Sequence, residues 1–140
     1  MFLEYAKSIK AVAKMPVMVT GGFRTLAGME AALQDGHTDM IGLARPFCLE
    51  PDFPKRLFNS EISTLPTSEN QLVLGKGYWG PNSSSSTLRT LNNQSQAGWY
   101  YRQIELLGAG LEPQTVLSPL WALVTHLGKD FKRAIAIKLA

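Results

Sequence analysis

Two glycine-bearing strings hold the groups best suited to chemistry: Thr20-Gly21-Gly22-Phe23-Arg24-Thr25 and Gly42-Leu43-Ala44-Arg45-Pro46-Phe47. Glycines let backbone N–H groups approach an anion with no Cβ in the way, and a guanidinium such as Arg45 adds a charge-assisted hydrogen bond. The chemistry implied is the grip of a phosphate, provided the fold brings both strings to one place. Arg45 has a plainer alternative, an ion pair with Glu50 or Asp52. The other reactive side chains are isolated. Cys48 is the sole cysteine, so neither an intramolecular disulfide nor a CxxC site is available, and its apolar neighbours favour an inert thiol. His37 follows a helix-ending glycine, and His126 sits in an apolar stretch with no cysteine near it. Both read as surface or packing histidines. No catalytic residue and no metal site is expected.

The elements that must position the two strings are legible around them. Phe2, Leu3, Ala6, Ile9 and Ala13 recur at helical spacing with Glu4, Lys7, Lys10 and Lys14 between them, the pattern of an amphipathic helix. Pro16 ends it. Val17, Met18 and Val19 then form a short apolar run, as expected of a parallel strand buried on both faces. Thr25 is placed to cap a second helix through Ala27, Met29, Ala31, Ala32 and Leu33, stopped at Asp35 and Gly36. A second strand is expected over residues 39–43. Strand, glycine turn, helix, glycine stop and strand in about 30 residues make a βαβ unit. Its parallel strands place both glycine strings at the same end of one sheet.

Beyond Pro46 the pattern predicts a short helix through Phe47, Leu49, Phe53, Leu57 and Phe58, interrupted near Pro51 and Pro54. Residues 66–96 turn to Ser, Asn, Thr and Gly, including the serine run at 83–86, and read as an irregular loop. Helical spacing returns from Gly98 with Trp99, Ile104, Leu106 and Leu107 up to Pro113, and a last helix is expected over residues 119–139. Trp79, Trp99 and Trp121 read as packing anchors. This divides the chain into residues 1–60 (α/β), 61–97 (irregular and polar) and 98–140 (helical extension).

Composition narrows the function classes. The 140 residues are 45% hydrophobic and 18% charged, which indicates a packed core. The formal charge of +3 comes from scattered basic residues, and the cluster Lys129, Lys132 and Arg133 reads as a solvated helix face, so no nucleic-acid partner is expected. Glu4, Lys7 and Lys10 break any signal-peptide core, and no apolar run is long enough for a membrane span. The expected location is the cytoplasm.

Two parallel strands with phosphate-type turns at their C-terminal ends match the site that (β/α)8 TIM barrels build after their seventh and eighth strands. The resemblance then becomes specific. Pro16-Val17-Met18-Val19-Thr20-Gly21-Gly22-Phe23-Arg24, the helix ending at Gly36, Asp39-Met40-Ile41-Gly42-Leu43-Ala44-Arg45-Pro46-Phe47 and Glu50-Pro51-Asp52-Phe53-Pro54 together resemble the end of the Old Yellow Enzyme, or NADH:flavin oxidoreductase, family. The resemblance covers residues 2–57. It extends more loosely to Trp99-Tyr100-Tyr101-Arg102-Gln103 and Gly110-Leu111-Glu112-Pro113.

The resemblance implies an α/β fold: the C-terminal quarter of a (β/α)8 TIM barrel with a helical C-terminal extension. It implies FMN as cofactor, with Gly21, Gly22 and Phe23 contacting its phosphate through backbone atoms and Ala44 and Arg45 doing so from the next loop. Many members carry glycine where Ala44 stands, which narrows the backbone approach there. NAD(P)H would be the reductant and an activated alkene the small-molecule substrate. The family's substrate-binding His or Asn pair, its tyrosine proton donor and its flavin-ring contacts have no counterpart here. The chain is therefore expected to begin in the barrel's sixth helix, with Met1 an internal or mis-assigned start or the gene truncated. Two other readings compete: a different FMN barrel such as a tRNA dihydrouridine synthase, and a truncated non-catalytic chain acting at most as an interaction module.

Overall fold

The computed structural model describes residues 2–139. The chain divides into two compact units, Met1–Thr67 and Ser68–Ala140.

In the first unit, helix α1 (Phe2–Lys10) precedes strand β1 (Met18–Thr20), helix α2 (Leu26–Gln34) and strand β2 (Met40–Gly42). The expected βαβ order is present, and β1 and β2 pair in parallel. Thr25 caps α2 through its side-chain oxygen, which accepts from the Gly28 N–H at 3.2 Å. Gly36, at φ +69°, closes the helix by letting the His37 N–H reach back to the Ala32 carbonyl at 3.0 Å. A 3₁₀ turn (Arg45–Cys48) and helix α3 (Phe53–Phe58) come next, so the expected short helix is split at Pro51, while Pro54 does not interrupt it but sits in the first turn of α3, where proline is tolerated. The core gathers Ala6, Val19, Phe23, Met29, Ala32, Phe53, Leu57 and Leu65.

Burial on both faces of the strands is not what the structure shows. Val19 lies in the core, whereas Met18 and Met40, on the opposite face, are each 58% exposed. Strand side chains alternate between faces, and only one face of this sheet is covered. Among the described residues the sheet has two strands and does not close into a barrel.

The second unit is built on two helices, α4 (Ser86–Gly108) and α5 (Pro119–Leu139). The bounds of α5 are those expected. Helix α4 begins well before Gly98, so the last part of the stretch expected to be irregular, residues 86–96, is helical. The serine run is its start: Ser85 caps the helix, and the Arg89 guanidinium donates to the Ser83 carbonyl at 2.6 Å. Hydrophobic periodicity could not reveal this helix because its buried face is largely polar. Buried Asn92 accepts from the Leu74 N–H at 3.0 Å and donates to the Trp79 carbonyl at 2.9 Å. Gln103, fully buried, accepts from the Gln114 N–H at 2.7 Å. Each buried amide thus ties a non-helical segment to the helix, and such amides are costly unless satisfied.

Of the three tryptophans only Trp99 is a buried anchor, its indole N–H donating to the Leu117 carbonyl at 3.0 Å. Trp79 and Trp121 are exposed. No helix among the described residues is long and apolar enough to cross a membrane.

Gly98 sets the approach of α4 to α5. A Cβ there would lie 2.7 Å from the His126 Cβ and 2.9 Å from the Ala122 carbonyl oxygen. Alanine would gain up to about 1 kcal/mol of helix propensity but overpack the crossing at a cost of about 1–3 kcal/mol. Gly98→Ala is therefore expected to lower stability by about 1–2 kcal/mol. All three tryptophans lie in this unit, so urea unfolding followed by tryptophan fluorescence reads it directly. An unchanged or raised midpoint would contradict the close packing.

Candidate functional site

The two glycine strings leave the sheet side by side. Met18 pairs with Met40, Val19 with Ile41 and Thr20 with Gly42, so the turns begin at neighbouring positions of one sheet end. The Gly21 N–H donates to the Gly42 carbonyl at 3.4 Å and ties the first turn to the end of the second strand.

Gly21 and Gly22 hold φ of +108° and +81°, the region where a Cβ is strained. Among the described residues, the N–H groups of Gly22, Phe23 and Ala44 have no hydrogen-bond acceptor. The Phe23 side chain is buried in the core, which leaves only its backbone for a ligand. The chain just past the glycines is held in place: the Leu26 N–H donates to the Ser63 carbonyl at 2.9 Å, and the Leu65 N–H to the Arg24 carbonyl at 2.7 Å. The first turn is thus pinned at both ends. In the second, Ala44 and Arg45 are exposed, and the Ala44 carbonyl accepts from the Phe47 N–H at 3.1 Å. Glu50, one of the two acids considered for Arg45, pairs with Arg56 at 2.6 Å.

The structure thus brings Gly21, Gly22, Phe23, Ala44 and Arg45 to one end of the sheet. The prominent concavity of this unit, about 530 Å³, runs beside α2, β2 and α3, and Met29, Leu33, Met40, Phe47 and Phe58 help to line it. None of the five residues does. Helix N-termini add little at these turns. The second string runs into a 3₁₀ turn of four residues, and the start of α2 is occupied by Thr25 and Ser63.

Two residues that sequence reasoning passed over hold the strands in register. The Asp39 carboxylate accepts from the Val17 N–H at 2.9 Å and meets the Lys10 ammonium at 2.8 Å. Buried Thr38 donates its hydroxyl between the Val17 carbonyl, at 2.8 Å, and the Met40 carbonyl, at 2.9 Å. Neither forms a motif; each works through backbone atoms of a strand some twenty residues away in sequence. Gly42 is a third constraint, because a Cβ there would collide with the Thr20 side chain. Cys48 is half-buried, which pushes its thiol pKa up and keeps it protonated. His126 stacks on Tyr101 with centroids 5.6 Å apart, and its Nε2 lies 3.6 Å from Asp130, so packing explains it. No group of three or more potential metal ligands gathers among the described residues.

The paired strands, joined through a helix and opening at one end into backbone-rich turns, define an α/β unit of βαβ type. Comparison with curated proteins gives the relationship. An NADH-dependent flavin oxidoreductase of Talaromyces variabilis is 45% identical over 64 residues, 44% of this chain and 16% of that protein. One from Neonectria sp. (strain DH2) is 32% identical over 104 residues, 74% of this chain and 12% of its own. A third, from Aspergillus parasiticus, is 53% identical over 51 residues, 36% and 11% respectively. The chain is a relative of NADH-dependent flavin oxidoreductases, as a piece of an Old Yellow Enzyme-like protein would be. It spans 11 to 16% of the length of these three. No family model matches it.

Two outcomes test the register. Gly42→Ala should destabilise the strand pair by about 1–3 kcal/mol, the range for overpacking, and a second change, Thr20→Gly, should recover most of that. Amide exchange at Val19, whose N–H faces β2 in this register, in low urea measures both, and a Gly42→Ala chain with unaltered protection would remove the constraint. The Asp39 pKa is lowered, first by its hydrogen bond to Lys10 and then by that from Val17. A carboxylate depressed in the folded state contributes stability above its unfolded pKa and loses it as pH falls through the folded value. Acid titration of the wild type should therefore show a destabilising limb below the ordinary aspartate range that Asp39→Asn lacks. Identical limbs would show that the carboxylate does not hold β1.

Proposed function

We propose that this chain supplies the phosphate grip for FMN in an NADH-dependent flavin oxidoreductase. The observation that carries the reading is the parallel register ending at Thr20 and Gly42, which sets two backbone-rich turns beside each other at one sheet end. The residues present suit a phosphate. Gly21 and Gly22 stand at positive φ with open space where side chains would be, and the N–H groups of Gly22, Phe23 and Ala44 remain to donate. Arg45 supplies charge. The names of the relatives support flavin and NADH.

When bound, the flavin supplies hydride chemistry, here from NAD(P)H to an activated alkene. The chain's own contribution is anchorage. Gly21 and Gly22 let the backbone close on the phosphate, Phe23 locks the first turn into the core, and Ala44 and Arg45 close the other side. No residue of this chain is assigned to the acceptor or to proton transfer.

A phosphate held by a few N–H groups and one guanidinium must offset the loss of freedom on association, several kcal/mol or more. The chain by itself should bind FMN only at about millimolar concentration. An NMR titration should move the amides of Gly21, Gly22, Phe23, Ala44 and Arg45, whereas riboflavin, which has no phosphate, should leave them in place. Arg45→Ala should weaken the FMN response by about tenfold, the lower end for a charged hydrogen bond at an exposed position. Equal shifts with riboflavin, or shifts confined to other residues, would overturn the phosphate role. Steady NADH oxidation by the chain with added FMN would show that it holds more of the machinery than a grip.

A further inference from the structure

The helix α5 turns its more apolar side away from its neighbour. Ala122 and Leu123 are buried in the second unit, yet Leu120, Val124, Leu127, Phe131 and Ile135 are exposed, Leu120 by 61% and Phe131 by 68%. Their spacing of four, three, four and four residues keeps them on one stripe of the helix. With neighbouring Trp121, the exposed parts of these side chains amount to about 600 Å² per copy, at the upper end for a monomer's largest apolar patch.

Gly128 lies at the centre of the stripe. Glycine in a helix interior is less favourable than alanine, so it calls for a reason. At Gly98 the reason is internal, because a Cβ would strike α5. At Gly128 a Cβ would meet nothing within 4 Å. Packing among the described residues therefore gives no account of this glycine, whereas a second helix lying closely across the stripe would.

We infer that this face of α5 pairs with the same face of a second copy of the chain, antiparallel, about a two-fold axis passing between Leu127 and Gly128. The stripe is self-complementary about that point. Leu120 meets Ile135 of the other copy, Val124 meets Phe131, and Leu127 drops into the notch left by Gly128. Large residues thus face small or matching ones, as an isologous interface requires. Two copies would bury about 1,200 Å², the lower edge of the range for specific interfaces, which points to association at micromolar concentration. The inference is independent of the cofactor reading, since it rests on the second unit alone.

Sedimentation velocity on the 140-residue chain, from about 1 to 100 µM, tests it. A monomer–dimer equilibrium is expected, with Val124→Glu/Phe131→Glu weakening it at least about a hundredfold and Gly128→Leu about tenfold. Circular dichroism should show unchanged helix content, since these positions are exposed. In a Cys48→Ser background, mixing Leu120→Cys chains with Ile135→Cys chains under mild oxidation should give chiefly the mixed disulfide. Homodisulfides instead would mean parallel pairing and would overturn the arrangement. A chain monomeric at 100 µM, or a dimer indifferent to the glutamates, would overturn the interface. A monomer that sediments with anionic phospholipid vesicles would give the stripe to lipid and overturn it equally.

Discussion

Two parallel strands in register must deliver their chains to the same end of the sheet, and everything distinctive about the first unit derives from that requirement. Thr20 opposite Gly42 fixes where both turns start. The positive φ of Gly21 and Gly22 then turns the chain sharply, and Phe23 returns it to the core. A slip of one residue would move Val19 out of the core and Thr20 into it. It would also replace Gly42 as the residue facing Thr20, where no Cβ fits. The hydrophobic core and the backbone-rich turns are thus one constraint, because the burial that sets the register also sets the distance between the loops.

The forces holding that register are mostly ordinary polar contacts to backbone atoms. Asp39 and Thr38 both act on Val17, at the entrance to β1, while Gly21 ties the other end to the Gly42 carbonyl. The strands are only three residues long, so few ladder bonds are available and contacts at their ends matter more. Such a pair with one face uncovered is a marginal structure unless other surfaces pack on it. Met18 and Met40 stand on that uncovered face.

The sequence made some of this legible and hid the rest for physical reasons. The βαβ order, the Thr25 cap, the Gly36 stop and the last helix all rest on local signals: apolar spacing, a capping hydroxyl, a glycine and prolines. The placing of Gly21, Gly22, Ala44 and Arg45 at one sheet end came from topology. What stayed hidden was non-local. The start of α4 at Ser86 depends on buried Asn92, Ser95 and Gln103, residues that count as polar in any periodicity and whose value appears only when their partners are folded around them. Asp39 and Lys10 form no recognisable motif, because they meet across a loop. The exposed outer face of the sheet was missed because an apolar run reads the same whether or not a second layer covers it.

The clamps on α4 have a further consequence, for how freely this molecule can change over evolutionary time. Asn92 and Gln103 grasp main-chain atoms of the segments beside them, namely the N–H groups of Leu74 and Gln114 and the carbonyls of Trp79 and Gln114. Every amino acid offers a carbonyl, and every one but proline an N–H. At those positions the clamps therefore place almost no demand on residue type, and substitutions can accumulate there without altering the path of the chain. The helix bears the opposite burden. Asn92 and Gln103 must each present an acceptor and a donor at a fixed reach, so an isosteric acid would leave one side of the clamp unmet and a hydrocarbon both. Drift should be rapid in the loops and slow at two polar sites that look, by composition, like the most expendable residues of the helix.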